Sequence, residues 1–299
     1  MAFLQLTLTI GRADPEPFEE ALLAAGAQSI TLLDAGDDPV LEPLPGEMPL
    51  WPNVAIRALF TEPIAREAVI ASLEARLPQP LPAWTFEEVP DRAWEREWLA
   101  DFRPMRFGRR LWICPGGQRP PGPLLESEAD VRLIELDPGL AFGTGTHATT
   151  ALCLEWLDGA SLAGKQVIDY GCGSGVLAIA ALKLGAASVL AVDIDPQALI
   201  ATRENAERNA VSGRLTVTEP DLEERAQADI LLANILAGPL IELAPRFARL
   251  VRPGGQIVLS GILHQQVAAV ASRYSAWFDI APATLREDWA RLEGSRRAS

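Results

Sequence analysis

Val167-Ile-Asp-Tyr-Gly-Cys-Gly-Ser-Gly-Val-Leu-Ala178 is the stretch that decides the fold. A short apolar run enters three closely spaced glycines, and a helical pattern begins at once. Glycine lets the backbone turn tightly and approach a ligand without interference from a Cβ. The helix behind such a turn offers unpaired N–H groups and a positive dipole to a carboxylate or phosphate. A dinucleotide site would want glycine or alanine where Val176 stands. Asp169, just before the first glycine, suits a ligand with a cationic amino group, and S-adenosylmethionine carries one. A Gly-rich turn with a structural role only is the competing reading.

Downstream and upstream of that turn, from Val131 onward, strand and helix patterns alternate in short units. Strands are expected at Leu133–Leu136, Gln166–Asp169, Ser188–Val192, Arg214–Thr218, Asp229–Ala233, Gln256–Leu259 and Ala276–Ile280. Helices are expected at Ala148–Leu157, Gly175–Leu184, Pro196–Asn209, Gly238–Leu250 and His264–Tyr274. The alternation predicts a doubly wound, Rossmann-like α/β domain with a parallel sheet and crossover helices.

Ligands of such sheets sit at the carboxyl ends of the strands, and that rule selects the next candidates. Asp193 ends the strand after the Gly-rich turn, about twenty residues on, where ribose hydroxyls need an acceptor. Asp195 precedes Pro196 and reads as a helix N-cap. Asp221 could face an adenine amino group, but with Glu223 and Glu224 beside it a solvated acidic loop fits as well. Asn234 closes the strand Asp229–Ala233 at the catalytic rim, where its ordinary alternative is turn formation. The loop Phe142-Gly-Thr-Gly-Thr-His147 combines flexible glycines with hydroxyls at Thr144, Thr146 and Thr150, and suits closure over a cofactor. His147 reads as a cap or loop anchor rather than a base.

The first ninety residues follow a different pattern. Leu4, Leu6, Leu8 and Ile10 alternate with polar residues, the period of a half-buried strand. The order strand, helix, strand, strand, helix, strand over 1–90 predicts a small ferredoxin-like α+β domain. A helical linker is expected over 91–104, with Trp94 and Trp98 on one face and Trp84 and Trp112 nearby as interdomain packing. The remaining 105–299 form the α/β domain.

Composition narrows the class. The 299 residues carry 40 acidic and 26 basic side chains, a net charge of −14. A nucleic-acid binder shows a basic footprint, so direct nucleic-acid binding is not expected. The acidity serves solubility or draws in a basic protein partner. The cations are almost all arginine, with lysine only at Lys165 and Lys183. Cys114, Cys153 and Cys172 form no C-x-x-C pair or disulfide framework, and no run approaches a membrane span. A cytoplasmic, monomeric protein without metal is the expectation.

Leu136-Asp-Pro-Gly-Leu-Ala-Phe-Gly-Thr-Gly-Thr-His-Ala-Thr-Thr150, the Asp169–Gly175 turn and Ala233-Asn-Ile-Leu-Ala-Gly-Pro239 resemble the ribosomal protein L-eleven methyltransferases of the PrmA type. The resemblance extends to Trp98–Phe102, Arg106–Cys114 and Ser260–Leu263, and so covers essentially the whole chain. Ala148 stands where that family commonly has proline. The resemblance implies a class I methyltransferase domain that uses S-adenosylmethionine to methylate lysine ε-amino and N-terminal α-amino groups of a large-subunit ribosomal protein. The N-terminal module would recognise that substrate. Cofactor contacts would fall on Thr150, Gly171, Gly173, Asp193 and Asn234, with Asn234 also the catalytic residue. The alternative is a methyltransferase of another amine, such as a nucleic-acid base, a glutamine amide or a small molecule. Against the Asn-Pro-Pro-Tyr motif of adenine and glutamine methyltransferases, Ile235 and Leu236 replace the prolines.

The chemistry asks little of the protein beyond alignment. Deprotonating a lysine at neutral pH costs roughly 4.6 kcal/mol. A sulfonium about 4 Å away opposes the ammonium by about 4 kcal/mol at an effective dielectric near 20. No strong base is then required, and a neutral acceptor such as the Asn234 side-chain carbonyl can orient the amine.

Overall fold

The computed structural model describes residues 3–36, 51–61, 63–78, 80–89, 103–120, 122, 130–136, 147–220 and 227–298. The chain divides into two compact units, Met1–Glu97 and Trp98–Ser299. The expected linker helix with Trp94 and Trp98, the Phe142–Thr146 part of the threonine loop, and Asp221 lie outside the described residues.

The first unit contains β1 (Phe3–Gly11), α1 (Glu16–Ala24), β2 (Ser29–Asp34), β3 (Val54–Thr61), α2 (Arg66–Glu74) and β4 (Ala83–Val89). The antiparallel sheet has the order β2-β3-β1-β4, the ferredoxin-like arrangement. Leu4, Leu6 and Leu8 alternate inward along β1 and meet Leu22 of α1 and Val69 and Leu73 of α2 in one buried cluster. Trp84 packs edge-on against Phe86 of its own strand, with ring centroids 5.6 Å apart.

The second unit opens with β5 (Met105–Phe107), β6 (Leu111–Pro115) and β7 (Arg132–Leu136). These form a separate three-stranded sheet, so the Leu133–Leu136 strand is not part of the main parallel sheet. Asp158 explains how that sheet is held. Its buried carboxylate accepts hydrogen bonds from the Arg109 and Arg110 backbone N–H groups at 2.7 and 3.2 Å. This ties the β5–β6 turn to the helix that carries Asp158.

The main sheet follows with α3 (Ala148–Gly159), β8 (Gln166–Tyr170), α4 (Val176–Lys183), β9 (Ser188–Val192), α5 (Pro196–Arg208) and β10 (Leu215–Thr218). After these come β11 (Ala228–Asn234), α6 (Ala237–Leu250), β12 (Val251–Leu263), α7 (Val267–Tyr274), β13 (Phe278–Ile280), β14 (Thr284–Arg286) and β15 (Trp289–Arg296). The sheet order is β10-β9-β8-β11-β12-β15-β13, with β14 beside β15. Five strands from β10 to β12 are parallel, and β15 is antiparallel to both neighbours. The antiparallel pair β14 and β15 goes beyond the expected strands. β12 also runs longer than the expected Gln256–Leu259.

Helices cover both faces, which is why the central strands are apolar without alternation. Ile230 and Leu232 of β11 face the core shared by α3, α4 and α5. Leu231 and Ala233 face the core built on Phe247 of α6 and Tyr274 of α7. The chain leaves β8 toward β9 and β10, then returns to place β11 on the other side. That reversal opens a crevice at the carboxyl ends of β8 and β11, the topological switch point where open α/β sheets bind ligands.

Candidate active site

Three strand ends converge at this crevice. Parallel register pairs Tyr170 of β8 with Val192 of β9 and with Ala233 of β11. One residue further on, Gly171, Asp193 and Asn234 therefore stand side by side on the rim. Gly171 takes a left-handed φ of +78°, and a methyl group there would overlap the Ile235 side chain. Only glycine lets the turn pass this close to β11.

Asp193 shapes the turn as well as facing the crevice. One carboxylate oxygen accepts from Gly173 N–H at 2.9 Å, and the other from Asp195 N–H at 3.0 Å. Each carboxylate oxygen has a further lone pair, so the group can still receive ribose hydroxyls. Asp195 caps α5 through Gln197 N–H at 2.9 Å, the capping role expected for it.

Asp169 lies beneath the turn with 1% of its surface exposed. One oxygen accepts from Ala178 N–H at 2.9 Å, in the first turn of α4. The other is buried without a hydrogen-bond partner among the described residues. Burial raises its pKa to about 7, the Ala178 bond works against that rise, and the charge of Asp193 adds to it. An orphan acceptor and a second carboxylate beside a Gly-rich turn favour a cationic ligand. A pyrophosphate there would meet like charge.

Asn234 is half-buried, and its amide N–H donates to the Thr150 hydroxyl at 3.2 Å. This bond commits the nitrogen end of the amide and leaves the carbonyl end as the acceptor for a substrate. Thr150 is positioned by α3, whose N-cap is His147. The His147 ring accepts from Thr149 N–H at 3.4 Å and packs edge-on against Trp289 at 4.8 Å. The buried Ser260 hydroxyl of β12 lies 3.3 Å from the Thr149 carbonyl and 3.2 Å from the Ala290 carbonyl, so its one proton is shared between α3 and β15. Ile235 is gripped next to Asn234: its carbonyl lies where a side chain on Gly261 would go.

Reading the sequence missed a second tier beneath the turn. Thr202 of α5 donates to the Gly173 carbonyl at 2.9 Å, and Asn205 donates to the Ser174 carbonyl at 2.9 Å. Both are buried, as is Asn209 at the end of that helix. Burial holds the Cys172 thiol protonated, and it contacts the Thr202 hydroxyl at 3.3 Å. The signal was available: Thr202, Asn205 and Asn209 are polar residues on the inward face of α5, among Ala198, Leu199 and Ala206. Inward polar side chains at helical spacing must find partners, and here the partners are turn carbonyls.

Among the described residues no group of three His, Cys, Asp or Glu side chains could hold a metal ion. A parallel sheet reversed at β8 and β11, a Gly-rich turn over a buried acid, an acidic strand end and an amide on the rim define a class I S-adenosylmethionine-dependent methyltransferase. The family model described as Ribosomal protein L11 methyltransferase (PrmA) matches residues 2–297. A ribosomal protein L11 methyltransferase of Pseudomonas paraeruginosa is 52% identical over 299 residues, covering 100% of both chains. One from Methylococcus capsulatus is 52% identical over 295 residues, 98% of this chain and 99% of the other. The crystal structure of a ribosomal protein L11 methylase from Lactobacillus delbrueckii subsp. bulgaricus is 33% identical with a TM-score of 0.57. It aligns over 66% of this chain and 100% of that one. The chain belongs to the ribosomal protein L11 methyltransferase family, and its cofactor is S-adenosylmethionine.

Proposed function

We propose that this protein methylates lysine ε-amino and N-terminal α-amino groups of ribosomal protein L11, with residues 1–90 recognising that substrate and residues 105–299 carrying the chemistry. The observation that carries this reading is the Asn234–Thr150 pair beside the Gly-rich turn. When bound, S-adenosylmethionine supplies an activated methyl group and a positive charge. Gly171 and Gly173 would admit its amino-acid end, Asp193 would receive the ribose hydroxyls, and Thr150 and Asn234 would line the reacting side.

Asn234 then orients the acceptor amine. Its amide nitrogen is held by Thr150, so its carbonyl oxygen accepts an N–H of the neutral amine and points the lone pair forward. A neutral acceptor suits this task, because an anion would favour the ammonium and retain the proton. The basic substrate protein meets a chain of net charge −14, which favours encounter. No helix among the described residues is long and apolar enough to cross a membrane. We place the enzyme in the cytoplasm, acting as a monomer without direct nucleic-acid contact.

The test is methylation of purified ribosomal protein L11 by the purified enzyme with isotopically labelled S-adenosylmethionine, read by peptide mass spectrometry. Label on lysine and on the N-terminal amine is expected. Label on RNA, or on glutamine amides alone, would overturn the assignment.

A further inference from the structure

The motif Ser260-Gly-Ile-Leu263 takes no direct part in the chemistry proposed above, yet it touches the chain on both sides of the Thr150–Asn234 pair. Parallel register sets Ser260 of β12 beside Asn234 of β11. On its other edge β12 pairs with β15, Leu259 with Leu292 and Ile262 with Ala290. Two residues, Ser260 and Gly261, therefore stand opposite one, Arg291, which makes a β-bulge. Gly261 takes a left-handed φ of +83°, and a methyl group there would overlap the Ile235 carbonyl, so the bulge seats against the residue after Asn234. The buried Ser260 hydroxyl meets the carbonyl of Thr149, the residue before Thr150, at 3.3 Å.

Arg291, opposite the bulge, extends this grip by one turn of α3. Its guanidinium donates to the Leu152 carbonyl and to the Thr284 hydroxyl of β14, each at 3.0 Å. The side chain is 11% exposed, and its Nε is buried without a hydrogen-bond partner among the described residues. A buried guanidinium with an unmet N–H is a poor way to stabilise a hairpin, since apolar side chains of similar volume often do so as well or better. What an apolar side chain lacks is a directed bond to one carbonyl of α3. At the start of the same helix the Trp289 ring packs on His147. Trp289, Ala290 and Arg291 of β15 thus hold successive points of α3, the middle one through Ser260.

We propose that Ser260 and Arg291 are positioning residues for methyl transfer: the bulge and the hairpin β14–β15 together fix the separation of Thr150 from Asn234. The inference rests on the reading of Asn234 as the residue that orients the amine. The Asn234 amide nitrogen is held by the Thr150 hydroxyl at 3.2 Å, already long for a hydrogen bond. A small shift of α3 breaks that bond and frees the amide to rotate, so its carbonyl no longer faces the acceptor amine.

Single-turnover methyl transfer to purified ribosomal protein L11, at saturating S-adenosylmethionine, reads alignment as a rate constant, which a partly inactive preparation does not change. Ser260→Ala and Arg291→Met should each slow it roughly tenfold to a hundredfold, with cofactor affinity and one site per chain retained. Arg291→Lys keeps a donor for the Leu152 carbonyl and should recover part of the rate. Arg286→Gln, which removes an exposed partner of Glu155 between the same hairpin and helix, should stay within about twofold of the parent. A double-mutant cycle with Asn234→Ala then separates positioning from general loosening. If Ser260 and Arg291 act through Asn234, neither substitution slows the Asn234→Ala chain by more than about twofold. Should Ser260→Ala or Arg291→Met lose the cofactor site, Arg291→Lys carries the same cycle. Full effects persisting without Asn234, or parental rates in the single variants, would overturn the proposal. An Asn234→Ala chain as fast as the parent would overturn the reading beneath it, and the proposal with it.

Discussion

Asp193, Asn234 and Asp169 each commit part of their hydrogen-bonding capacity to the fold and keep part of it uncommitted. Asp193→Ala removes the expected ribose acceptor and the acceptor for Gly173 N–H together. Charge-assisted bonds contribute about 1.5–3 kcal/mol, so S-adenosylmethionine affinity should fall roughly tenfold to a hundredfold by calorimetry. Unchanged affinity would remove Asp193 from the site. Asn234→Asp is nearly isosteric but adds an anion where a neutral acceptor is needed. Single-turnover methyl transfer at saturating cofactor should drop at neutral pH and partly recover as pH rises, whereas a mere turn former would tolerate the change. Asp169 makes a stability prediction. Its folded value of about 7 lies above the ordinary 3.8, so the folded chain keeps a proton that the unfolded chain releases between those values. Stability from this group is greatest below about pH 4 and declines until about pH 7. Asp169→Asn removes that decline, so its advantage over the parent in urea unfolding should widen from pH 4 to 7 and then level off. A constant difference across that range would place the titration elsewhere.

At the scale of elements, α5 determines whether the Gly-rich turn keeps its shape. Thr202→Val keeps the volume of the side chain but leaves the Gly173 carbonyl without its donor. An acceptor left unpaired costs about 1–3 kcal/mol when fully buried, and the part-buried Gly173 carbonyl falls at the lower end. Lower thermal stability and weaker cofactor binding should appear together, and a change in neither would show that the turn holds itself. Most elements were legible in the sequence, because hydrophobic period and turn residues report locally on strand and helix. The rim positions of Asp193 and Asn234 were legible because strand ends in this topology are marked positions, and the capping role of Asp195 because Pro196 follows it. What escaped depended on distant partners. β7 looked like a strand of the main sheet, and nothing local to Leu133–Leu136 says that its partner is β6. β15 escaped because Trp289–Arg296 mixes charged residues and a glycine into its alternation, and its pairing with β12 is antiparallel. Thr202 and Asn205 escaped because their bonds reach back some thirty residues to the turn.

The whole molecule comprises two units, each with its own buried core, and that separation can be tested by cutting between them. A chain beginning at residue 103 retains the Gly-rich turn, Asp193, Asn234 and the helices on both faces of the sheet. It should bind S-adenosylmethionine with near-parental affinity and, if residues 1–90 dock the substrate as proposed, methylate the intact protein substrate poorly. Full activity of the shortened chain on that substrate would sink the recognition role of residues 1–90. The placement of the two lysines has a consequence of its own. Lys165 lies near the carboxylate of Asp229, at 3.8 Å, just before the start of β8, and Lys183 is the last residue of α4. Both are on the side of the sheet away from the Asp193–Asn234 rim, where the proposed site would present amines. An enzyme built this way keeps its own lysine side chains from competing with the client for methyl groups, so its intact mass should not climb during prolonged turnover.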